Sequence, residues 1–195
     1  MEPCITFVIG GARSGKSAFA ENLARGSGEV IYIATARAGD PEMSSRIAAH
    51  RSRRPDEWST WEGDVLSLPD ELEKISAAYN TMLFDSLSMY LSAAMFALPE
   101  NAGEDETLWS SAEKKILEGV RGIFAAFSAS ANGRDKRLIV VSDEVGCGIV
   151  PHYPIGRRFR DLLGLANQIA AHVSDEAALV VAGIPLWIKT RAPEK

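Results

Sequence analysis

The sequence predicts an α/β protein built on a mostly parallel sheet with helices on both faces. Three observations point there. Short apolar, β-branched runs alternate along the chain with stretches of helical periodicity. The first run, Ile5-Thr6-Phe7-Val8-Ile9, leads directly into Gly10-Gly11-Ala12-Arg13-Ser14-Gly15-Lys16-Ser17, which fits the phosphate-binding loop pattern G-x-x-x-x-G-K-[ST]. The length of 195 residues, with 46% hydrophobic and 24% charged residues, suits one globular domain, which we read as residues 1–195.

The elements follow in order. Strand 5–9 feeds a helix that begins at Ser17-Ala18-Phe19-Ala20. Glu29 to Ala34 reads as a second buried strand. From Pro41 to Arg53 the pattern is helical, with Met43, Ile47 and His50 spaced by four and three, and Pro55 ends it. Pro69 suits a first helical position, opening a helix to about Tyr79 with Leu72 and Ile75 on its apolar face. Thr81-Met82-Leu83-Phe84 is a third strand ending on Asp85, and a helix from Leu87 to Phe96 follows. The acidic stretch from Pro99 to Glu106 predicts an exposed loop, and Trp109 to Phe127 a long helix. After a turn region from Ala129 to Lys136, Leu138 to Ser142 is another strand. Residues 146–158, with three glycines and two prolines, predict an ordered loop. Arg160 to His172 is helical, and Ala178 to Ala182 is the last strand.

Composition narrows the function classes. A net charge of −5 argues against a broad nucleic-acid-binding face. The longest apolar stretch, Ala177 to Ile188, falls short of the ~18 residues of a membrane span and is broken by Gly183 and Pro185. The N-terminus enters a strand at once, without the segments of a secretory signal, so the expected location is the cytoplasm. Cys4 and Cys147 have neither metal-ligand nor redox-pair spacing and are expected as reduced thiols.

The loop pattern carries the chemistry. Its glycines let backbone N–H groups turn inward around an anion, and the following helix N-terminus adds positive dipole. Lys16 would reach the outer phosphates, and the Ser17 hydroxyl would ligate Mg²⁺. A nucleoside triphosphate is therefore the expected ligand. Asp85, at the end of a strand downstream, is where a metal-holding carboxylate belongs, and it also suits a helix N-cap. Asp143-Glu144 after the strand 138–142 has the same logic, so the metal partner of Ser17 is Asp85 or Glu144.

His50 sits among Arg46, Arg51, Arg53 and Arg54, with Trp58 and Glu62 just beyond. Clustered arginines ordinarily make a solvated basic face, and they also suit bidentate binding of phosphates. A neutral imidazole beside bound phosphate can attack phosphorus to form a phosphoramidate. Glu144-Val145-Gly146-Cys147-Gly148-Ile149-Val150-Pro151, followed by Arg157, Arg158 and Arg160, suits either a loop closing over an anionic substrate or a plain surface loop. His152 and His172 read as structural or surface residues. Residue chemistry thus leaves three readings: a nucleotidyltransferase with kinase activity, a plain small-molecule kinase, or a nucleotide-binding switch or assembly ATPase.

These motifs together resemble the bifunctional adenosylcobinamide kinase/adenosylcobinamide-phosphate guanylyltransferase family of cobalamin biosynthesis. The matching pieces are the loop 10–17, Tyr32-Ile33-Ala34-Thr35-Ala36, Glu42-Met43, and Arg46-Ile47 leading to His50. Arg54-Pro55, Trp58, Thr60 and Glu62 follow, then Glu144-Val145-Gly146, Gly148-Ile149-Val150-Pro151, Arg158-Phe159-Arg160-Asp161, Gly164, Asn167-Gln168 and Ala182-Gly183-Ile184-Pro185. They keep the family's order and span nearly the whole chain. The resemblance implies a RecA-like phosphate-loop fold, a trimer, and two reactions at one nucleotide site. A triphosphate, ATP or GTP, would phosphorylate adenosylcobinamide. A histidine, here His50, would then take GMP from GTP and pass it to the new phosphate, giving adenosylcobinamide-GDP. It further implies nucleotide contacts by Gly10, Gly11, Ala12, Arg13, Ser14, Gly15, Lys16 and Ser17, and by Thr35, Ala36, Arg37, Arg51, Ser52, Arg53, Arg54, Glu62 and Asp85. The chain departs from the usual pattern at Asp143, where the family commonly has Asn.

Overall fold

The apolar runs become strands because each is buried on both faces, as strands inside a parallel sheet must be. In the computed structural model, which describes residues 4–36, 47–48, 51–52, 54–131 and 135–191, they are β1 (Cys4–Gly10), β2 (Val30–Ala34), β4 (Thr81–Asp85), β5 (Arg137–Asp143) and β6 (Glu176–Val181). Two further strands, β3 (Ser59–Trp61) and β7 (Ile184–Lys189), complete a seven-stranded sheet in the order β3-β2-β4-β5-β1-β6-β7. Every pairing is parallel except that of β6 with β7. The mostly parallel α/β architecture matches the expected fold class.

The helices are α1 (Lys16–Ala24), α2 (Leu68–Ala78), α3 (Leu87–Phe96), α4 (Glu106–Ser130) and α5 (Pro154–Val173). Their ends follow local chemistry. Pro69 stands in the first turn of α2 with Asp70 and Glu71, favourable at the positive end of a helix. Ser86 Oγ accepts from Met89 N at the start of α3, and Asp105 Oδ1 accepts from Thr107 N and Leu108 N at the start of α4. Beyond α2, buried Lys136 donates to the carbonyls of Ser76 and Tyr79, so its charge meets the negative end of that helix.

The two sheet faces are covered unequally. Ile5, Phe7, Ile31, Ile33, Met82, Phe84, Leu138 and Val140 pack under α2, α3, α4 and α5 in the larger core. Val8, Tyr32, Leu83, Ile139 and Val141 face the other way, against Ala20 and Ala24 of α1. Helices thus stand on both faces, with α1 the one helix described on its own side.

Four local readings change. β3 escapes the sequence pattern because it is three residues long and half polar, held by its pairing with β2. β7 is hidden in the apolar run 177–188, which a two-residue turn cuts in half. Ala182 (φ 52) and Gly183 (φ 80) are both left-handed, the geometry that matches hairpin twist. Within the expected exposed loop 99–106, Glu100–Gly103 forms a 3-10 turn whose Ala102 and Gly103 are buried. A Cβ on Gly103 would lie 3.0 Å from Ile155 Cδ1, so this turn packs onto the start of α5. Finally, α5 begins at Pro154 rather than Arg160, since proline is suited to a first helical turn, and the loop before it is correspondingly shorter.

Candidate active site

The phosphate-binding loop joins β1 to α1. Gly15 has φ 93, a left-handed conformation glycine adopts without penalty. Gly10 is required for space: a Cβ there would come within 2.5 Å of Ser14 Oγ and 2.6 Å of the Val180 carbonyl oxygen. Gly183 N donates to Ser14 O at 2.7 Å, so the β6–β7 turn braces the loop from outside. Helix α1 has no side-chain cap and no acidic residue in its first turn. Its leading N–H groups are therefore left for an anion.

Strand parity brings two carboxylates to the α1 side. Leu83 and Ile139 lie on that face, and residues two apart share a face, so Asp85 and Asp143 at the ends of β4 and β5 point the same way. β5 lies between β4 and β1, which puts Asp143 next to the loop. Lys16 Nζ pairs with Asp143 Oδ1 at 2.5 Å and also donates to Gly11 O at 3.2 Å. The Ser88 hydroxyl donates to Asp143 Oδ2. Asn167 on α5 fixes the strand end, its Nδ2 donating to Asp143 O at 3.0 Å while its Oδ1 accepts from Ser142 Oγ at 2.6 Å.

Asp85 is held differently. Its Oδ2 accepts from the Tyr32 hydroxyl at 2.6 Å. The Arg54 guanidinium lies over the Tyr32 ring, 3.3 Å from its centroid, and its buried Nε and Nη1 have no hydrogen-bond partner among the described residues. Burial pushes the Tyr32 hydroxyl far above the ordinary tyrosine value, the Asp85 charge and the hydrogen bond to it add to this, and Arg54 opposes it. Tyr32 is thus a neutral donor throughout the working pH range. The Ser86 backbone is pinned by Thr35, whose Oγ1 donates to Ser86 O at 3.0 Å and accepts from Ser86 N at 2.6 Å.

These groups surround a cavity of about 320 Å³, within the range of small-molecule sites. Of the expected nucleotide contacts, Ala12, Lys16, Ser17, Ala36, Arg51, Arg54, Glu62 and Asp85 line it. Gly10, Gly11, Arg13, Ser14 and Gly15 build the loop behind it. Thr35, Ser52 and Glu144 are not among its walls. Thr35 is turned to Ser86, and Glu144 Oε1 accepts from Gly146 N at 2.5 Å. Arg51 forms an ion pair with Glu62. Arg37, His50 and Arg53, and most of the helix expected over Pro41 to Arg53, lie outside the described residues. Tyr32, Ser86 and Met89 also line the cavity without having been expected as contacts, as does Asp143, which the sequence offered together with Glu144 as a carboxylate for the metal. Tyr32 left a legible sign: a polar-tipped aromatic in an otherwise aliphatic strand.

The later arginines do not reach this site. Arg157 donates to the carbonyls of Pro151 and His152, Arg158 pairs with Glu106 and stacks near Trp109, and Arg160 pairs with its neighbour Asp161. They tie the start of α5 to its own loop and to α4, while Val145, at the other end of the stretch, lines the cavity. His152 stacks edge-on against Tyr153 in the same loop.

A loop with the spacing for phosphates, a lysine and two carboxylates around one cavity make a nucleotide-dependent transferase geometry, common to many chemistries. Residues 6–188 match the family model for cobinamide kinase / cobinamide phosphate guanyltransferase. The chain belongs to that family. Among curated relatives, it is 37% identical over 183 residues to the bifunctional adenosylcobalamin biosynthesis protein CobP of Pseudomonas aeruginosa, covering 93% of this chain and 95% of that protein. It is 36% identical to the bifunctional CobU of Escherichia coli and 35% identical to that of Salmonella typhimurium, covering 93% of this chain and 98% of the relative in each case. Family membership makes the chain a bifunctional enzyme of cobalamin biosynthesis, and it answers the choice between transferase, plain kinase and switch protein in favour of the first. Among the described residues no helix is long and apolar enough to cross a membrane.

Proposed function

We propose that this chain runs its two reactions at the single cavity beside the phosphate-binding loop, with His50 as the nucleophile of the second. In the kinase step the hydroxyl oxygen of cobinamide attacks the γ-phosphorus of ATP or GTP. A P–O bond forms, the bond to the β-phosphate oxygen breaks, and the hydroxyl proton is lost. In the second reaction an imidazole nitrogen of His50 attacks the α-phosphorus of GTP, a P–N bond forms, and pyrophosphate leaves. An oxygen of cobinamide phosphate then displaces the imidazole, giving the GDP-linked product.

The observation that carries this reading is the junction of loop, Lys16 and the Arg51–Arg54 wall around one cavity. Ile47 and Arg51, which bracket His50 in sequence, both line it. Lys16 and Arg54 supply cationic donors for phosphate charge as it builds up in either transition state. The donor set also fits Mg²⁺, a hard cation that takes oxygen ligands. Ser17 and Asp85 share the cavity wall, and neither Ser17 Oγ nor Asp85 Oδ1 is engaged by another described residue. When bound, the ion would neutralise phosphate charge. The residues to hold it are Ser17 and Asp85, with Asp143 rather than Glu144 as the further carboxylate on the wall.

Exposed Val181, Ile184, Leu186 and Ile188 along the edge hairpin support self-association, and the resemblance suggests a trimer. Light scattering should return three times the 21.1 kDa chain mass. Free Cys4 and Cys147 suit a reducing cytoplasm. The central test is incubation with GTP labelled at the α-phosphate, followed by denaturing electrophoresis. Label that stays with the protein in base and is lost in acid marks a phosphoramidate; no retained label refutes the covalent route.

A further inference from the structure

Tyr32 is a buried residue with a polar tip in the site that neither reaction uses. It lies on β2, 2% exposed, facing α1 among Val30, Leu83 and Ile139. A tyrosine hydroxyl in such surroundings needs a partner. It has one: Asp85 Oδ2, at 2.6 Å. The register places Tyr32 opposite Leu83 and Ala34 opposite Asp85, so the ring reaches its carboxylate diagonally across neighbouring strands.

We propose that Tyr32 is a positioning residue for Asp85: its hydroxyl fixes Oδ2 so that Oδ1 is presented to the metal–triphosphate end of the cavity, and its ring seats Arg54, which lines the same cavity. The proposal rests on Asp85 belonging to the triphosphate site, as argued above.

A carboxylate at a strand end rotates about its side-chain torsion unless something holds it, because that torsion is broad. One oxygen engaged by a short charge-assisted hydrogen bond removes that freedom. The second oxygen is then left with no partner among the described residues, on a residue that lines the cavity together with Lys16 and Ser17. The hydroxyl is a suitable clamp because it donates to Oδ2 and brings no second carboxylate to compete for a cation. Finally, the ring face carries Arg54 at 3.3 Å, with Nε and Nη1 buried and unmatched by any described acceptor. One side chain therefore sets both a carboxylate and a guanidinium, by its edge and its face respectively.

The edge and face roles are separable. Tyr32→Phe removes the hydroxyl and keeps the ring, while Tyr32→Leu removes both. For Tyr32→Phe the kinase kcat should fall roughly ten- to hundred-fold, the effect of losing a hydrogen bond to a charged group. Its KM for the nucleotide should stay within about twofold, since Arg54 keeps its seat. Independently of turnover, the Mg²⁺ concentration that half-saturates the enhancement of fluorescent GTP-analogue binding should rise, while metal-free binding of the analogue is unchanged. Tyr32→Leu should in addition weaken metal-free binding. Thermal unfolding of each variant shows that the fold is intact. Asp85→Asn, measured alongside, separates the two layers of the argument. If Asp85→Asn is impaired and Tyr32→Phe has wild-type kcat and Mg²⁺ dependence, Tyr32 is not a positioning residue. If Asp85→Asn itself is fully active, the placement of Asp85 in the triphosphate site is wrong and the role of Tyr32 falls with it.

Discussion

Lys16 in the free enzyme is bound to Asp143, and a triphosphate has to take it away. Asp143→Asn removes the charge while leaving an oxygen that can still accept from Lys16 and from Ser88. Two unit charges 2.5 Å apart attract by roughly 6–7 kcal/mol at an effective dielectric constant of about 20. Desolvation offsets most of that: exposed pairs are worth ~0–1 kcal/mol, and breaking a buried one costs ~3–5 kcal/mol. Lys16 is 12% and Asp143 31% exposed, so the pair lies between these limits, and we take about 1.5 kcal/mol. That is about a tenfold change in an equilibrium constant. The free variant should lose up to this much stability, and its affinity for GTP without metal should rise roughly tenfold because Lys16 is released in advance. The assay is calorimetric or fluorescence titration of GTP in chelator, with wild type and variant compared at one ionic strength. Metal-free affinity that is unchanged or weaker in Asp143→Asn would refute the idea that this ion pair competes with the nucleotide.

Three further outcomes are expected. Gly10→Ala should weaken nucleotide binding about tenfold or more and lower Tm, because its Cβ would press on Ser14 Oγ and the Val180 carbonyl, and overpacking costs ~1–3 kcal/mol; an unperturbed affinity would mean the loop can shift to admit it. Glu71 is held below its ordinary value of 4.5 by the Ser67 hydroxyl and the Trp61 indole, so its contribution is complete above that value and lost as pH falls through the lower folded one. Glu71→Gln should therefore flatten the acid side of a Tm-against-pH curve, and an unaltered slope would exclude this linkage. An alkylating reagent at neutral pH should label exposed Cys147 before Cys4, whose thiol is half-buried and raised by burial, as peptide mass mapping would read.

Much of this architecture was legible because parallel strands buried on both faces write themselves as apolar runs. β1, β2, β4 and β5 announce themselves that way, and Pro69 marks a helix start; the cap expected at Asp85 is instead Ser86, and Asp105 caps α4 from within the stretch read as a loop. What the sequence hid were features set by tertiary contact. β3 is too short to carry a period, and β7 merges with β6 in one apolar run until two left-handed residues divide it. α5 starts early at Pro154, where Ile155 packs on the 100–103 turn, a contact that no spacing encodes. In the site, the loop, Lys16, Ser17 and Asp85 were readable from spacing. The link from Asp143 to Lys16 depends on strand order, which places β5 beside β1, and no spacing encodes that. Tyr32 stood in view inside a family motif, yet its partner lies on a neighbouring strand.

His50 carries the claim that distinguishes this account from an ordinary kinase. His50→Asn keeps a polar side chain that cannot form a phosphoramidate, so both half-reactions should be assayed on one preparation of it. Loss of the acid-labile GMP adduct and of guanylyl transfer, with phosphorylation of cobinamide largely retained, is the predicted result. Persistence of the adduct in this variant would contradict the assignment and turn the search to His152 and His172.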